Sequence, residues 1–159
     1  MDVTNPAHPA RLGSPLAGHL GFVHWAGISP DGRTLASTSE DDKVRLWDIR
    51  DPARARALPH IRTGDTGGTY WGAFSPDGRR LASAGTGHDV RVWNVSAPAH
   101  ASGLGRSLTG HTGAVTRAGF SAVPSRGAFP VVSSSVPQLF GVSWNSGWDG
   151  VDRPKPEDG

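Results

Sequence analysis

The chain has 159 residues, 36% hydrophobic and 19% charged, with 22 glycines, 13 prolines and no cysteine; this suits one turn-rich globular domain and excludes disulfides and cysteine-based metal sites. The formal net charge is only +2 and the arginines are scattered, so composition gives no footprint for nucleic acid. No stretch approaches the roughly 20 apolar residues of a membrane helix, and residues 1–6 lack the basic and apolar regions of a secretory signal, so no membrane partner is expected and the cytoplasm is the expected compartment.

An ungapped internal repeat with an offset of 46 residues organises the chain. Residues 1–17 read as the end of a preceding repeat, because Asp2-Val3 and Asn5-Pro6-Ala7 fall on Asp48-Ile49 and Asp51-Pro52-Ala53. An outer strand is predicted over 10–17. The first full repeat covers 18–63, with strands predicted at 22–29, 34–39, 43–49 and, more weakly, 56–62. Their β-branched and aromatic content, short length and turn punctuation favour strands over helices. Ser29-Pro30-Asp31-Gly32 makes the first tight turn and Glu40-Asp41-Asp42 the second.

The second repeat, 64–109, follows in step: Trp71 through Ser83 repeats Trp25 through Ser37, and Val90-Arg91-Val92-Trp93 repeats Val44-Arg45-Leu46-Trp47. A third repeat starts at 110–121 with Gly110-His111 and Ala118-Gly119-Phe120-Ser121. Residues 122–159 diverge. Phe129–Ser134 and Gly141–Asn145 read either as degenerate second and third strands, the latter five residues late, or as unrelated sequence.

Four antiparallel strands per repeat make a propeller blade, which cannot bury its faces without neighbours. Gly18-His19, Ser29-Pro30-Asp31-Gly32, Leu35-Ala36-Ser37, Asp41 and Val44-Arg45-Leu46-Trp47-Asp48 resemble the WD40 repeat family over roughly residues 1–121. The resemblance implies an all-β, incomplete β-propeller of four-stranded antiparallel blades. It also implies a structural hydrogen-bond network of His19, Ser37 (or Ser39), Asp41 and Trp47, with Ser83 and Trp93 remaining in the second repeat and His111 in the third. An indole N–H only donates, so a buried Trp47 needs an acceptor such as a serine hydroxyl. Asp65 and Gly87 replace His and Asp in the second repeat, so its network should be weaker, and Trp47→Phe should cost more than Trp93→Phe.

Sharper chemistry finds little support in these residues. His19, Ser37 and Asp41 are the residue types of a nucleophilic triad, but the repeat assigns them to the network. Gly64-Asp65-Thr66-Gly67-Gly68 looks like a protease motif, yet it is a variant of Gly110-His111-Thr112-Gly113. Glu40-Asp41-Asp42 lacks the alternating ligand spacing of a cation loop, and the seven histidines show no zinc spacing. No cofactor and no catalytic group are expected.

The family resemblance implies a non-catalytic scaffold for protein partners, with Phe22, His24, Glu40, Tyr70, Thr86 and Thr116 as contact candidates on one loop face. Trp25 and Trp71 should pack between blades. A seven-blade ring at this repeat length needs roughly 320 residues. The chain therefore also reads as a truncated, non-functional fragment of a larger repeat protein, or as one that self-associates to complete a ring. Val44, Leu46 and Trp47 at one end, and Val115 and Phe120 at the other, are the apolar residues expected to lie uncovered.

Overall fold

A computed structural model describes residues 7, 8, 10–64, 67–121, 131–135 and 142–144. They form three successive antiparallel sheets. Blade 1 runs β1 (Val23–Ile28), β2 (Thr34–Ser39), β3 (Lys43–Asp48) and then the short β4 (Arg56–Ala57) and β5 (Ile61–Arg62), which both pair with β3. Blade 2 runs β6 (Thr69–Phe74), β7 (Arg80–Gly85), β8 (Val90–Asn94) and β9 (Ser102–Gly103). Blade 3 runs β10 (Val115–Phe120), β11 (Val131–Ser135) and β12 (Val142–Trp144). Among the described residues there is no α-helix; single 3-10 turns at Pro52–Arg54 and Pro98–His100 begin with proline, which has no N–H to lose.

Local chemistry fixes the turns. In blade 1, Gly32 N donates to Ser29 O (2.8 Å), the Ser29 hydroxyl donates to Asp31 (2.6 Å), and Thr34 N donates back to Ser29 Oγ (2.9 Å). Gly32 sits at φ +72°, where a Cβ is strained. Ser75, Asp77, Gly78 and Arg80 repeat the arrangement one blade on.

Alternation on β3 sorts the side chains onto two faces. Val44 and Leu46 join Ala36 against Leu81, Trp93 and Val95 of blade 2. Ala82, Ala84 and Val90 meet Val115, Ala118 and Val131 in the next interface. The tryptophans of the innermost strands lock these seams, as their spacing predicts. A Cβ on Gly72 would stand 2.6 Å from the Trp25 ring, and Trp71 Nε1 donates to Ala118 O (2.7 Å).

Three expectations need correction. Residues 10–17 form no strand beyond a single bridge at Ala10. Pro15 cannot donate, and Gly13 is in the left-handed region (φ +63°). The segment instead lies against the Pro52–Arg54 turn, where a Cβ on Gly13 would stand 2.6 Å from Ala53 O. The outer strand expected over 56–62 is two short pieces. Val44, Leu46 and Val115 are not uncovered; all are 0% exposed, because they face a neighbouring blade within the chain. Trp47 is also buried, and it shares a crevice with Pro15, Leu16 and Ala17. Phe120 is half-buried against the second interface.

The open face of blade 1 is the opposite one. Ile28, Leu35 and Ile49 stand where blade 2 has Phe74, Leu81 and Val95, which pack toward blade 1. Among the described residues no blade stands in front of it, and Ile28 is 59% exposed.

Blade 3 follows the same register with longer turns. Val131 pairs with Trp144 as Leu35 pairs with Trp47 and Leu81 with Trp93. Ten residues separate Phe120 from its partner Val131, against six between Phe74 and Leu81. Eight residues separate Ser133 from Val142, against seven between Ser83 and Arg91. These insertions account for the late position of Gly141–Asn145; Phe129, Pro130, Gly141 and Asn145 lie outside the described residues.

Candidate functional site

The polar network of blade 1 ties β2, β3 and the turn between them to the loop that precedes β1. His19 Nε2 lies 2.8 Å from Ser37 Oγ, and His19 Nδ1 lies 3.0 and 3.1 Å from the two Asp41 oxygens. Trp47 Nε1 donates to Ser37 Oγ at 3.4 Å, and Leu20 N donates to Asp41 at 2.9 Å. Donor logic assigns the protons. The indole donates into Ser37, so the serine hydroxyl donates to His19 Nε2, and His19 carries its proton on Nδ1 toward Asp41. Burial works to raise the Asp41 pKa, but the bonds from Leu20 N–H and His19 outweigh it and hold the carboxyl below its ordinary range. The Ser39 hydroxyl, the alternative member, instead accepts from Asp41 N (3.2 Å).

This arrangement has the composition of a catalytic triad without its access. Ser37 is 5% exposed, and its oxygen is engaged by both His19 and Trp47. Among the described residues no group of three or more His, Cys, Asp or Glu is placed to hold a metal.

In blade 2, Ser83 Oγ accepts from Trp93 Nε1 at 2.8 Å; Asp65, at the histidine position, lies outside the described residues. In blade 3, His111 Nε2 lies 2.9 Å from Ser133 Oγ. Burial holds the His111 pKa below its ordinary value. Sequence reasoning did not name Ser133 as a network residue, because the longer turn moves it four places off the repeat. The tripeptide Val132-Ser133-Ser134, matching Ala36-Ser37-Thr38 in kind, was the available signal.

The candidate contact residues gather around a recurrent irregularity. The β1–β2, β6–β7 and β10–β11 ladders each shift register at one residue: His24, Tyr70 and Thr116. These are equivalent positions in the three repeats. A bulge leaves its extra residue out of the ladder and re-aims its side chain. His24 Nε2 lies 3.2 Å from Glu40 Oε1, and its ring meets Tyr70 edge-on at 4.6 Å between centroids and 74° between planes. The Phe22 carbonyl accepts from Glu40 N (3.1 Å), which brings Phe22 beside them. Phe22 is 76% exposed and Leu20 86%. Thr86 N donates to Gly68 O, which places Thr86 at the same rim one blade on. Thr116 is exposed on β10. Phe22, His24, Glu40 and Tyr70 thus form one cluster, with Thr86 and Thr116 further along the rim.

The family model described as "WD domain, G-beta repeat" matches residues 11–48 and 60–94. A 39-residue stretch is 49% identical to Small ribosomal subunit protein RACK1z of Arabidopsis thaliana, covering 24% of this chain and 12% of that protein. A 32-residue stretch is 50% identical to Apoptotic protease-activating factor 1 of Danio rerio, covering 20% of this chain and 2% of that protein. The chain thus spans only a small part of the curated relatives it matches. Among solved structures, those titled "Structure of U3-55K" and "Crystal structure of RRP9 WD40 repeats" each superpose with a TM-score of 0.62 at 24% identity, over 74% of this chain and 34% of theirs, a likeness of fold. Repeat spacing, blade topology and family match agree: the chain is a WD40-repeat protein whose sheets are successive blades of a β-propeller.

Proposed function

We propose that this chain is a non-catalytic protein-interaction scaffold whose contact surface is the rim carrying Phe22, His24, Glu40 and Tyr70. The observation that carries the reading is the clustering of two strongly exposed apolar side chains, Leu20 and Phe22, beside an edge-on His24–Tyr70 pair. Neighbouring exposed apolar residues mark contact sites, whereas scattered ones do not, and aromatic residues carry much of the binding energy at protein interfaces. Bulges re-aim His24 and Tyr70 without loosening the sheets behind them, so the anchors stand on a rigid base. Selection of a displayed random-peptide library on the immobilised chain tests this. Peptides that lose affinity on Phe22→Ala and Tyr70→Ala, but not on Arg79→Ala, are the expected result. Selected peptides indifferent to both rim substitutions would contradict it.

A second reading is self-association through blade 1. Its support is the open face of Ile28, Leu35 and Ile49, whose counterparts in blade 2 are packed against blade 1. On this reading Ile28→Glu shifts the light-scattering mass in solution toward monomer; an unchanged mass would dismiss it.

A further inference from the structure

A second surface, apart from the rim, carries an arrangement of charge that the fold does not explain. On the β3–β5 ribbon, Lys43 is the cross-strand partner of Arg62, and Val44 of Ile61. Continuing that register places Arg45 opposite His60. Cross-strand partners project from the same face, and so do alternate residues of one strand. Lys43, Arg45, His60 and Arg62 therefore share one face of the ribbon. Like charges directly opposite each other destabilise a sheet. The electrostatics agree: after burial, Lys43, Arg45 and Arg62 hold the His60 pKa below its ordinary value, against a smaller opposing pull from Asp41.

The three acids of the adjoining turn offset this patch only in part, Asp41 acting through space on Lys43 and His60. Glu40 is engaged by His24, Asp41 by His19 and Leu20 N, and Asp42 accepts from Gly68 N (3.0 Å) in blade 2. Among the described residues no carboxylate lies within ion-pair distance of Lys43, Arg45 or Arg62; Arg45 donates instead to Gly18 O. The second repeat supplies an internal control. Asp89 stands at the Lys43 position and pairs with Arg91 at 3.3 Å. The bridge between Val90 and Leu108 sets neutral Thr109 and Ser107 opposite them. One repeat thus balances this position, and the other concentrates cations there.

We propose that Lys43, Arg45, His60 and Arg62 form a docking site for an acidic peptide segment of a protein partner. Charge complementarity selects the ligand sign. Spacing selects the form. Alternate residues of an extended chain lie about 7 Å apart, so acidic residues at every second position of an extended peptide match the interval between Lys43 and Arg45. A long polyanion fits poorly, because Glu40, Asp41 and Asp42 stand immediately before Lys43 in the chain and the chain's net charge is small.

Fluorescence anisotropy with a labelled (Glu-Ser)4 peptide tests the proposal, with (Lys-Ser)4 and an oligo-dT strand as comparison probes. Saturable binding of (Glu-Ser)4 that weakens between about 50 and about 500 mM salt is expected. Arg62→Glu and Lys43→Asp should each weaken it about tenfold, and Arg54→Glu, an equal charge change on the exposed 3-10 turn, should not. Lys43→Asp copies the blade 2 pairing, so its melting temperature should hold or rise. No saturable binding, equal loss in Arg54→Glu, tighter binding of oligo-dT, or a lower melting temperature in Lys43→Asp would each overturn the assignment.

Discussion

Ser37→Ala should cost clearly more than the same change at Ser83. Ser37 Oγ serves two buried partners, His19 Nε2 at 2.8 Å and Trp47 Nε1 at 3.4 Å. Removing it leaves a ring nitrogen without its donor and an indole N–H without its acceptor, while the His19 and Asp41 side chains are only 7% and 6% exposed. Each stranded buried group costs about 1–3 kcal/mol, so the sum is about 2–6 kcal/mol, with His19 carrying the larger share because the indole bond is long. Ser83→Ala strands the Trp93 N–H, for about 1–3 kcal/mol. The same distances reverse the asymmetry expected for the tryptophans. Trp93→Phe breaks a bond of 2.8 Å and Trp47→Phe one of 3.4 Å, so the change at Trp93 should cost more. Urea denaturation followed by tryptophan fluorescence reads all four. Equal losses for the two serine variants would refute the reasoning, since they would show that His19 draws nothing from Ser37.

Other outcomes follow from burial and charge. Leu46→Ala empties a fully buried site between blades 1 and 2 and should cost about 2–5 kcal/mol in the same urea titration. Gly72→Ala places a methyl 2.6 Å from the Trp25 ring and should cost about 1–3 kcal/mol, with a shift in indole emission. The Asp41 pKa is lower in the folded than in the unfolded chain. Its contribution to stability is therefore present above the unfolded value of about 3.9 and is lost as pH falls through the lowered folded value. Asp41→Asn should flatten that acid limb in melts taken across the range; an unchanged limb would assign the acid sensitivity to other carboxylates.

Much of this was legible in the sequence because the repeat is ungapped. The six-residue strands at 34–39 and 80–85 follow from Leu-Ala-Ser after a Pro-Asp-Gly turn, and burial on both faces confirms them. Trp25 and Trp71 were legible as seam residues for the same reason. Residues 10–17 were misread because an outer strand needs a ladder to join, and repeat spacing does not report one. The uncovered face was misassigned because alternation on β3 separates two faces without saying which one meets blade 2. Val44 and Leu46 turned inward, and Ile28 and Ile49 were left outside. The bulges at His24, Tyr70 and Thr116 carry no sequence signature beyond their shared offset of 46, although contact residues had been placed there on other grounds. The basic face of the β3–β5 ribbon was hidden because Lys43 and Arg62 lie far apart in the chain and only register makes them neighbours.

Photocrosslinking tests the central claim, that the rim of blades 1 and 2 is the protein-binding surface, most directly. A photoreactive phenylalanine analogue would be placed in turn at His24, at Thr86 and at Arg79 on the opposite edge of blade 2. Each version would be irradiated with a peptide selected on the unmodified chain. The account predicts adducts at position 24, fewer at position 86 and none at position 79, with the adducts abolished by Phe22→Ala. Adducts concentrated at position 79, or undiminished by Phe22→Ala, would contradict it.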